Sequence, residues 1–245
     1  MTSLLAADAF AGRTIVLVGG GTGIGFAVAR QVVAAGGRVV LGGRTAATLE
    51  RAVAELGENA AAHPVDTSDD ASVARFFEQV DRVDGIFTTA ASYVTGPIAE
   101  LSLEEAATPF ESKFWGQYRV VKAALGKLGP DASIVLMSGA ASVRPAGDAP
   151  AYVAANAAVE GLARGLAVEL APVRVNAVAP GTVDGHLWDQ RDPAVRQAAF
   201  DFYAGASTIG RTGTEPEVAQ AVVFLLLNGV TTGSTLFPDG GYSLR

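Results

Sequence analysis

The 245-residue chain is 49% apolar and 18% charged, a globular composition too apolar for disorder and too irregular for a fibre. It has no cysteine and only two histidines, His63 and His186, which excludes disulfides and thiolate chemistry and argues against a multi-histidine metal site. The net charge of −7 comes without a basic run, no stretch approaches the ~20 apolar residues that span a bilayer, and Met1 to Ala11 does not read as a secretory leader, so a cytoplasmic protein with no nucleic-acid or membrane partner is expected.

Along the chain, short β-branched runs alternate with helical segments. Thr14 to Val18 reads as a buried strand and Gly23 to Ala35 as a helix closed by Gly36-Gly37. Arg38 to Leu41 is a second strand. Thr45 to Leu56 is a helix with Thr45 at its N-cap and Gly57 beyond its end. Ala60 to Val65 is a strand, Asp69 to Val80 a helix and Asp84 to Thr88 a fourth strand. Leu103 to Leu128 reads as one long helical stretch interrupted by Pro109. Ser133 to Met137, Ala151 to Leu170, Val173 to Val178, Pro216 to Leu227 and Ser234 to Phe237 complete the alternation. No linker or repeat divides the chain, and residues 1–245 read as one domain. Wholly apolar strands between helices imply a parallel sheet covered on both faces, an α/β doubly wound Rossmann-type fold. Such a sheet binds ligands beyond the carboxyl ends of its strands.

The first of those ends carries Gly19-Gly20-Gly21-Thr22-Gly23-Ile24-Gly25. Glycines there allow a tight turn, close backbone approach to a pyrophosphate, and helix–sheet packing, with the helix N-terminus facing the phosphates. The second strand ends at Gly42-Gly43-Arg44, and no acid occurs from Arg38 to Leu49. A carboxylate at this place holds a free ribose and an arginine accommodates a 2′-phosphate, so NADP(H) is favoured over NAD(H).

With these features the chain resembles the short-chain dehydrogenase/reductase family over nearly its whole length. Its TGxxxGxG loop is matched by Val18, Gly19, Gly23 and Gly25, with valine in the threonine's place. Asp66-Thr67 is similar to the adenine-contacting position, and Arg174 to Val183 to the RVNxVxPGxV run, whose Pro180, Gly181, Thr182 and Val183 fall at the nicotinamide end. Gly210-Arg211-Thr212-Gly213, Thr232-Gly233 and Asp239-Gly240-Gly241 resemble the C-terminal signatures. The resemblance implies an oxidoreductase with a nicotinamide cofactor, and a homo-oligomer, tetramer or dimer, packed through the long helices. Thr88-Thr89-Ala90-Ala91 stands where the family has NNAG, leaving Ala90 beside the cofactor.

The family's reaction pairs hydride transfer with a tyrosine acid whose pKa a lysine four residues later lowers. Here Tyr152 is present, but Asn156 replaces the lysine, Gly139 replaces the serine thirteen residues before the tyrosine, and Lys113 stands where asparagine is expected. Two readings stay open. Either the acid–base machinery has lapsed, or lysine and asparagine have exchanged places and Lys113 brings its charge to Tyr152 from another helix. Ser142 is a candidate substitute for the lost serine. Tyr93 and Trp188 are candidate substrate contacts, Arg144 either meets an acidic group or is a surface charge, and Glu160 and Arg164 are spaced to pair on one helix. The expected reaction is reduction of a carbonyl, or oxidation of the alcohol, on an apolar, possibly cyclic small molecule. The alternatives are transfer to an imine or conjugated acceptor, a cyclisation, or cofactor binding without catalysis.

Overall fold

The computed structural model describes residues 5–145 and 147–245; the reading of the N-terminus as no leader falls partly on residues 1–4, outside them. The first half runs β1 Thr14–Val18, α1 Gly23–Ala34, β2 Arg38–Gly43, α2 Ala46–Leu56, β3 Ala60–Pro64, α3 Asp70–Glu78 and β4 Val83–Thr88. The second half runs α4 Leu103–Pro109, α5 Gly116–Ala124, β5 Leu128–Met137, α6 Pro150–Glu169 and β6 Arg174–Val178. Then come β7 Val183–Asp184, α7 His186–Asp189, α8 Pro193–Ala206, β8 Gly213–Thr214, α9 Glu215–Leu227 and β9 Thr235–Leu236.

The main sheet has seven parallel strands in the order β3-β2-β1-β4-β5-β6-β9, so the strand order reverses between β1 and β4. That reversal opens a crevice at the carboxyl ends of β1 and β4. Strand periodicity feeds both faces. Ile15 and Leu17 of β1 point into a core with Val28, Val32, Val222 and Leu226 of α1 and α9. Val16 and Val18 point into the opposite core with Phe76, Val120 and Val159 of α3, α5 and α6. Each such side chain removed from water contributes about 1.5–3 kcal/mol, which is why strands apolar at every position fold only between two helical layers. No helix among the described residues is long and apolar enough to cross a membrane, and no cluster of acids and histidines there could hold a metal ion.

Four local expectations change. Thr45 stands at the start of α2 but its side chain makes no capping hydrogen bond. By contrast Asp69 caps α3 by accepting from Ala71 N at 2.9 Å, and Ser102 and Glu105 form a reciprocal capping box on α4. The expected long helix is three pieces: α4, a widened π turn at Phe110–Trp115, and α5. Pro109 has no N–H to give; the Thr108 hydroxyl donates instead to the Glu105 carbonyl at 2.7 Å, and the Ser112 hydroxyl to the Thr108 carbonyl at 3.0 Å. Third, the helical stretch stops at Lys127, and Leu128 already begins β5. Finally, Glu160 does not pair with Arg164; its carboxylate turns inward and accepts from the Ser138 hydroxyl at 2.8 Å.

Candidate active site

At the β1 end the backbone itself builds the cradle. Gly19 has φ +87°, and a Cβ there would lie 2.8 Å from Ala90 N. The turn therefore closes against the end of β4, where Thr89 N donates to Val18 O at 2.8 Å. A Cβ on Gly25 would lie 2.2 Å from Gly19 O, so α1 reaches the loop only because that atom is missing. Thr22 caps α1 in extended conformation without a side-chain hydrogen bond, and the first turn, with Gly23 and Ile24, carries no acid. Free N–H groups and the positive end of the helix dipole thus face the crevice, the chemistry that holds a dinucleotide's phosphates. Gly21 lies beside Thr48 of α2.

Arg44 is exposed just beyond β2, in electrostatic reach of Asp66 beyond β3. The Ser68 hydroxyl and N–H, donating at 2.7 and 2.9 Å, hold the Asp66 carboxyl below its ordinary range, with a smaller contribution from Arg44. Thr67 packs on Gly116 and its carbonyl accepts from Arg119 at 3.4 Å. On the other wall Pro180 O accepts from Ala140 N at 2.9 Å, Gly181 lies against Asp239, and Thr182 O accepts from Gly213 N at 3.0 Å as Val183 enters β7. All of these expected cofactor positions lie along the carboxyl edge of the sheet. One group was not foreseen there: Glu215, at the start of α9, accepts from His186 N at 2.7 Å, and its Oε1 would stand 3.4 Å from a Cβ on Gly23.

The catalytic candidates are held by side chains. The π turn carries Lys113 inward, only 5% exposed, and its ammonium donates to Ser138 O at 3.2 Å. Its Nζ stands 5.2 Å from the Tyr152 ring centroid and 5.9 Å from that of Tyr93. Among the described residues no carboxylate lies within ion-pair distance of Lys113. The Tyr93 and Tyr152 rings stack with centroids 4.8 Å apart, tilted by 32°. The positive charge of Lys113 lowers the Tyr152 pKa against the opposing effect of burial, and the neighbouring Tyr93 and Asn156 side chains add to the lowering. Tyr93 moves the other way: burial raises it most, then the nearby Tyr152, while Arg191 opposes the rise. Asn156 is fully buried on α6; its Nδ2 donates to Tyr152 O at 2.8 Å, and its Oδ1 has no protein partner. Gly139 lies close against this cluster: a Cβ there would stand 3.2 Å from Asn156 Oδ1, a tight contact, and 3.5 Å from the Tyr152 hydroxyl.

Gln117 escaped the sequence reading and anchors the arrangement. Its side chain donates to Lys113 O at 2.8 Å and to Met137 O at 3.0 Å, and accepts from Met137 N at 2.8 Å. A glutamine on the buried face of α5 is the only signal the sequence offers for it. Ser142 has a buried hydroxyl without a protein partner. Trp188 packs on Phe200 in the α7–α8 segment, with ring centroids 5.6 Å apart. Arg144 meets no acid: it donates to Ala206 O and Tyr242 O at 3.1 and 2.6 Å and lies 4.2 Å over the Tyr242 ring, clamping the C-terminus. An apolar groove of ≈ 480 Å³ runs between Pro97-Ile98-Ala99 and Pro145, Asp148, Pro150 and Val153; neither Tyr152 nor Lys113 lines it.

Comparison with known proteins places this architecture. Residues 19–243 match the family described as Enoyl-(Acyl carrier protein) reductase. The chain is 34% identical to a 2,5-dichloro-2,5-cyclohexadiene-1,4-diol dehydrogenase from Sphingobium indicum, over 95% of this chain and 97% of that one. It superposes with a TM-score of 0.89 on the MalC Reductase/Diels-Alderase from Malbranchea aurantiaca, at 27% identity over 98% and 99% of the two chains. A small-chain dehydrogenase in complex with NADPH matches at 27% identity and a TM-score of 0.79, over 95% and 99%. With a parallel Rossmann sheet, a glycine cradle at its strand-order reversal and relatives of this kind, the chain belongs to the short-chain dehydrogenase/reductase family of nicotinamide-dependent oxidoreductases.

Proposed function

We propose that the protein is an NADP(H)-dependent oxidoreductase that reduces a carbonyl, or oxidises the corresponding alcohol, on an apolar cyclic small molecule. The observation that carries this reading is the buried Lys113 ammonium, without a carboxylate, beside the Tyr152 phenol. An unpaired buried charge is costly to keep; a tyrosinate formed during turnover is the counter-charge it awaits. A bound nicotinamide dinucleotide supplies hydride to the substrate carbon or takes it away. Tyr152 gives its phenolic proton to the substrate oxygen as negative charge develops there, and Lys113 holds the resulting tyrosinate. Asn156 takes the place of the usual lysine, with Oδ1 free for a cofactor ribose hydroxyl. Arg44 meets the 2′-phosphate; Gly19, Gly23, Gly25 and the α1 N-terminus take the pyrophosphate; Asp66, Thr67 and Ala90 flank the adenine side, and Pro180 to Val183 the nicotinamide side. Ser142 and Trp188 face the substrate, and the stacked Tyr93 and Tyr152 rings offer an aromatic wall that suits a ring. The likeness to a dehydrogenase of a cyclic diol is in keeping with this.

A second reading draws on Gly139. Without a serine hydroxyl to hold a carbonyl oxygen, an imine or conjugated acceptor, or a cyclisation, is served as well, and the likeness to a reductase/Diels-Alderase favours it. Incubation with NADPH and a panel of cyclic ketones and imines separates the two by which members oxidise the cofactor. Calorimetry tests the cofactor: NADPH is expected to bind more tightly than NADH, and Arg44→Ser to lose about tenfold or more of that preference, as one charge-assisted contact is removed. Equal binding of both cofactors would refute the NADP(H) assignment. Homo-oligomerisation through the exposed Trp115 and Tyr118 next to the π turn is part of the proposal, and a monomer in sedimentation would reject it.

A further inference from the structure

Gly139 leaves Tyr152 without a serine neighbour, and the ring of Tyr93 stacks on the same phenol from another part of the chain. We propose that Tyr93 is a positioning residue for the acid: its hydroxyl donates to Tyr152 Oη and holds the tyrosinate that forms when Tyr152 gives up its proton. This rests on the proposed role of Tyr152. Three observations converge on it. The Tyr93 ring stacks on Tyr152 at 4.8 Å, a geometry that brings two phenols side by side with both ring faces near one cation, Lys113, at 5.9 and 5.2 Å. Gly139 puts no hydroxyl beside the Tyr152 phenol, although even a Cβ there would stand only 3.5 Å from the Tyr152 oxygen. Tyr93 lies two residues beyond Thr88 to Ala91, where the chain departs from NNAG, so the altered loop after β4 and the altered end of β5 meet at Tyr152.

The charged and titratable groups around Tyr93 fix its protonation. Tyr152 on α6 and Lys113 on the π turn face its ring, and Arg191 from the segment between α7 and α8 is the remaining charge in reach. Burial and the neighbouring phenol both keep Tyr93 protonated, whereas Lys113 favours the ionised form of Tyr152. The pair is therefore asymmetric: Tyr152 is the group that ionises and Tyr93 the permanent donor. In the reducing direction the Tyr152 O–H bond breaks, its proton goes to the substrate oxygen, and the electron pair stays on Tyr152 Oη, where the Tyr93 hydrogen bond and the Lys113 charge meet it. In the oxidising direction the same oxygen recovers a proton from the alcohol. No atom of Tyr93 is consumed in either case.

Tyr93→Phe tests the assignment, because it keeps the ring stack and deletes only the oxygen. A hydrogen bond to a charged group corresponds to about tenfold or more in rate and about one pH unit or more in the titration of the acid. Tyr93→Phe should lower kcat by at least about tenfold with little change in KM, and move the Tyr152 limb of the pH–rate profile upward by about one unit. The tyrosinate absorbance of the free protein, followed against pH, should lose its lowest-titrating step and regain it higher. An unchanged limb and unchanged absorbance step, or a change confined to KM, would overturn the role. Absence of turnover in the parent protein would instead strike the underlying reading of Tyr152 as the acid. In that event the absorbance titration, which needs no substrate, still decides the question of Tyr93.

Discussion

The glycine cradle after β1 and the tyrosine–lysine cluster between α6 and the π turn lie along the same sheet edge, yet they tolerate change very differently. In the cradle the main chain is the instrument, and a single added carbon at Gly25 would stand 2.2 Å from Gly19 O. In the cluster the instruments are side-chain ends, and a charge can enter from any helix whose reach suffices. Lys113 arrives from the π turn and places its Nζ 5.2 Å from the Tyr152 ring, while the position one turn beyond Tyr152 holds Asn156. Main-chain geometry fixes residue identity; charge placement fixes only a location in space.

The largest effect expected from this contrast is at Gly25. Gly25→Val forces a Cβ and two methyls into the α1–β1 approach, so at least about 3 kcal/mol of stability should go, together with cofactor binding. Thermal unfolding with and without NADPH checks both. A folded Gly25→Val protein that keeps full affinity would break the comparison, since the cradle would then be as adaptable as the cluster.

Next in size is Lys113→Met. The change removes a buried charge from a chain of similar length and leaves the fold nearly intact, so the unfolding temperature should not fall, while kcat should drop by about 10²-fold or more, as for loss of acid–base assistance. The sign of the pH effect follows from the charge: Lys113 favours the ionised phenol and lowers the Tyr152 pKa. Without it that pKa rises, and the limb set by Tyr152 moves to higher pH in either reaction direction. Equal loss of stability and rate, with the limb unmoved, would make Lys113 a packing residue.

The contrast also explains what could be read before the fold was in hand. The strand–helix alternation and the glycine loop follow from local composition, because β-branched runs, helix ends and forced glycines act over a few residues, whereas Asp66, Thr67 and Pro180 to Val183 stand out only through the family resemblance. Tyr152 was visible as a matched position, and Lys113 and Asn156 as departures from a spacing, but what joins them was not. The π turn depends on two hydroxyls, Thr108 and Ser112, taking carbonyls around a proline. Gln117 matters only because Met137, twenty residues on, folds against it. The Tyr93–Tyr152 stack joins the loop after β4 to the first turn of α6, far apart in sequence. Arg144 looked available for a ligand, yet two carbonyls and the Tyr242 ring already occupy it.

The smallest effect, and the sharpest on the adaptable half, is expected at Gly139. Its backbone is extended, with φ −176° and ψ 146°, so any residue fits the chain there. A Cβ would come within 3.2 Å of Asn156 Oδ1, tight but on a side chain that can yield, and that oxygen is buried without a protein partner. In Gly139→Ser the new hydroxyl can donate to it, worth about 1 kcal/mol, and the loss of glycine's unfolded freedom adds up to about 1 kcal/mol. The unfolding temperature should therefore rise by about 2–4 °C or more for a chain of this size. If Tyr93 already supplies the second hydroxyl, kcat on the best substrate should change by less than about tenfold, because the one proton of the new hydroxyl goes to Asn156 Oδ1 and the acid keeps its existing donor, a hydrogen bond being worth about that factor. A gain well beyond that would mean that the cluster waits for its serine and that Tyr93 does not replace it. A fall in unfolding temperature would mean that the cluster, like the cradle, has no room for one more carbon.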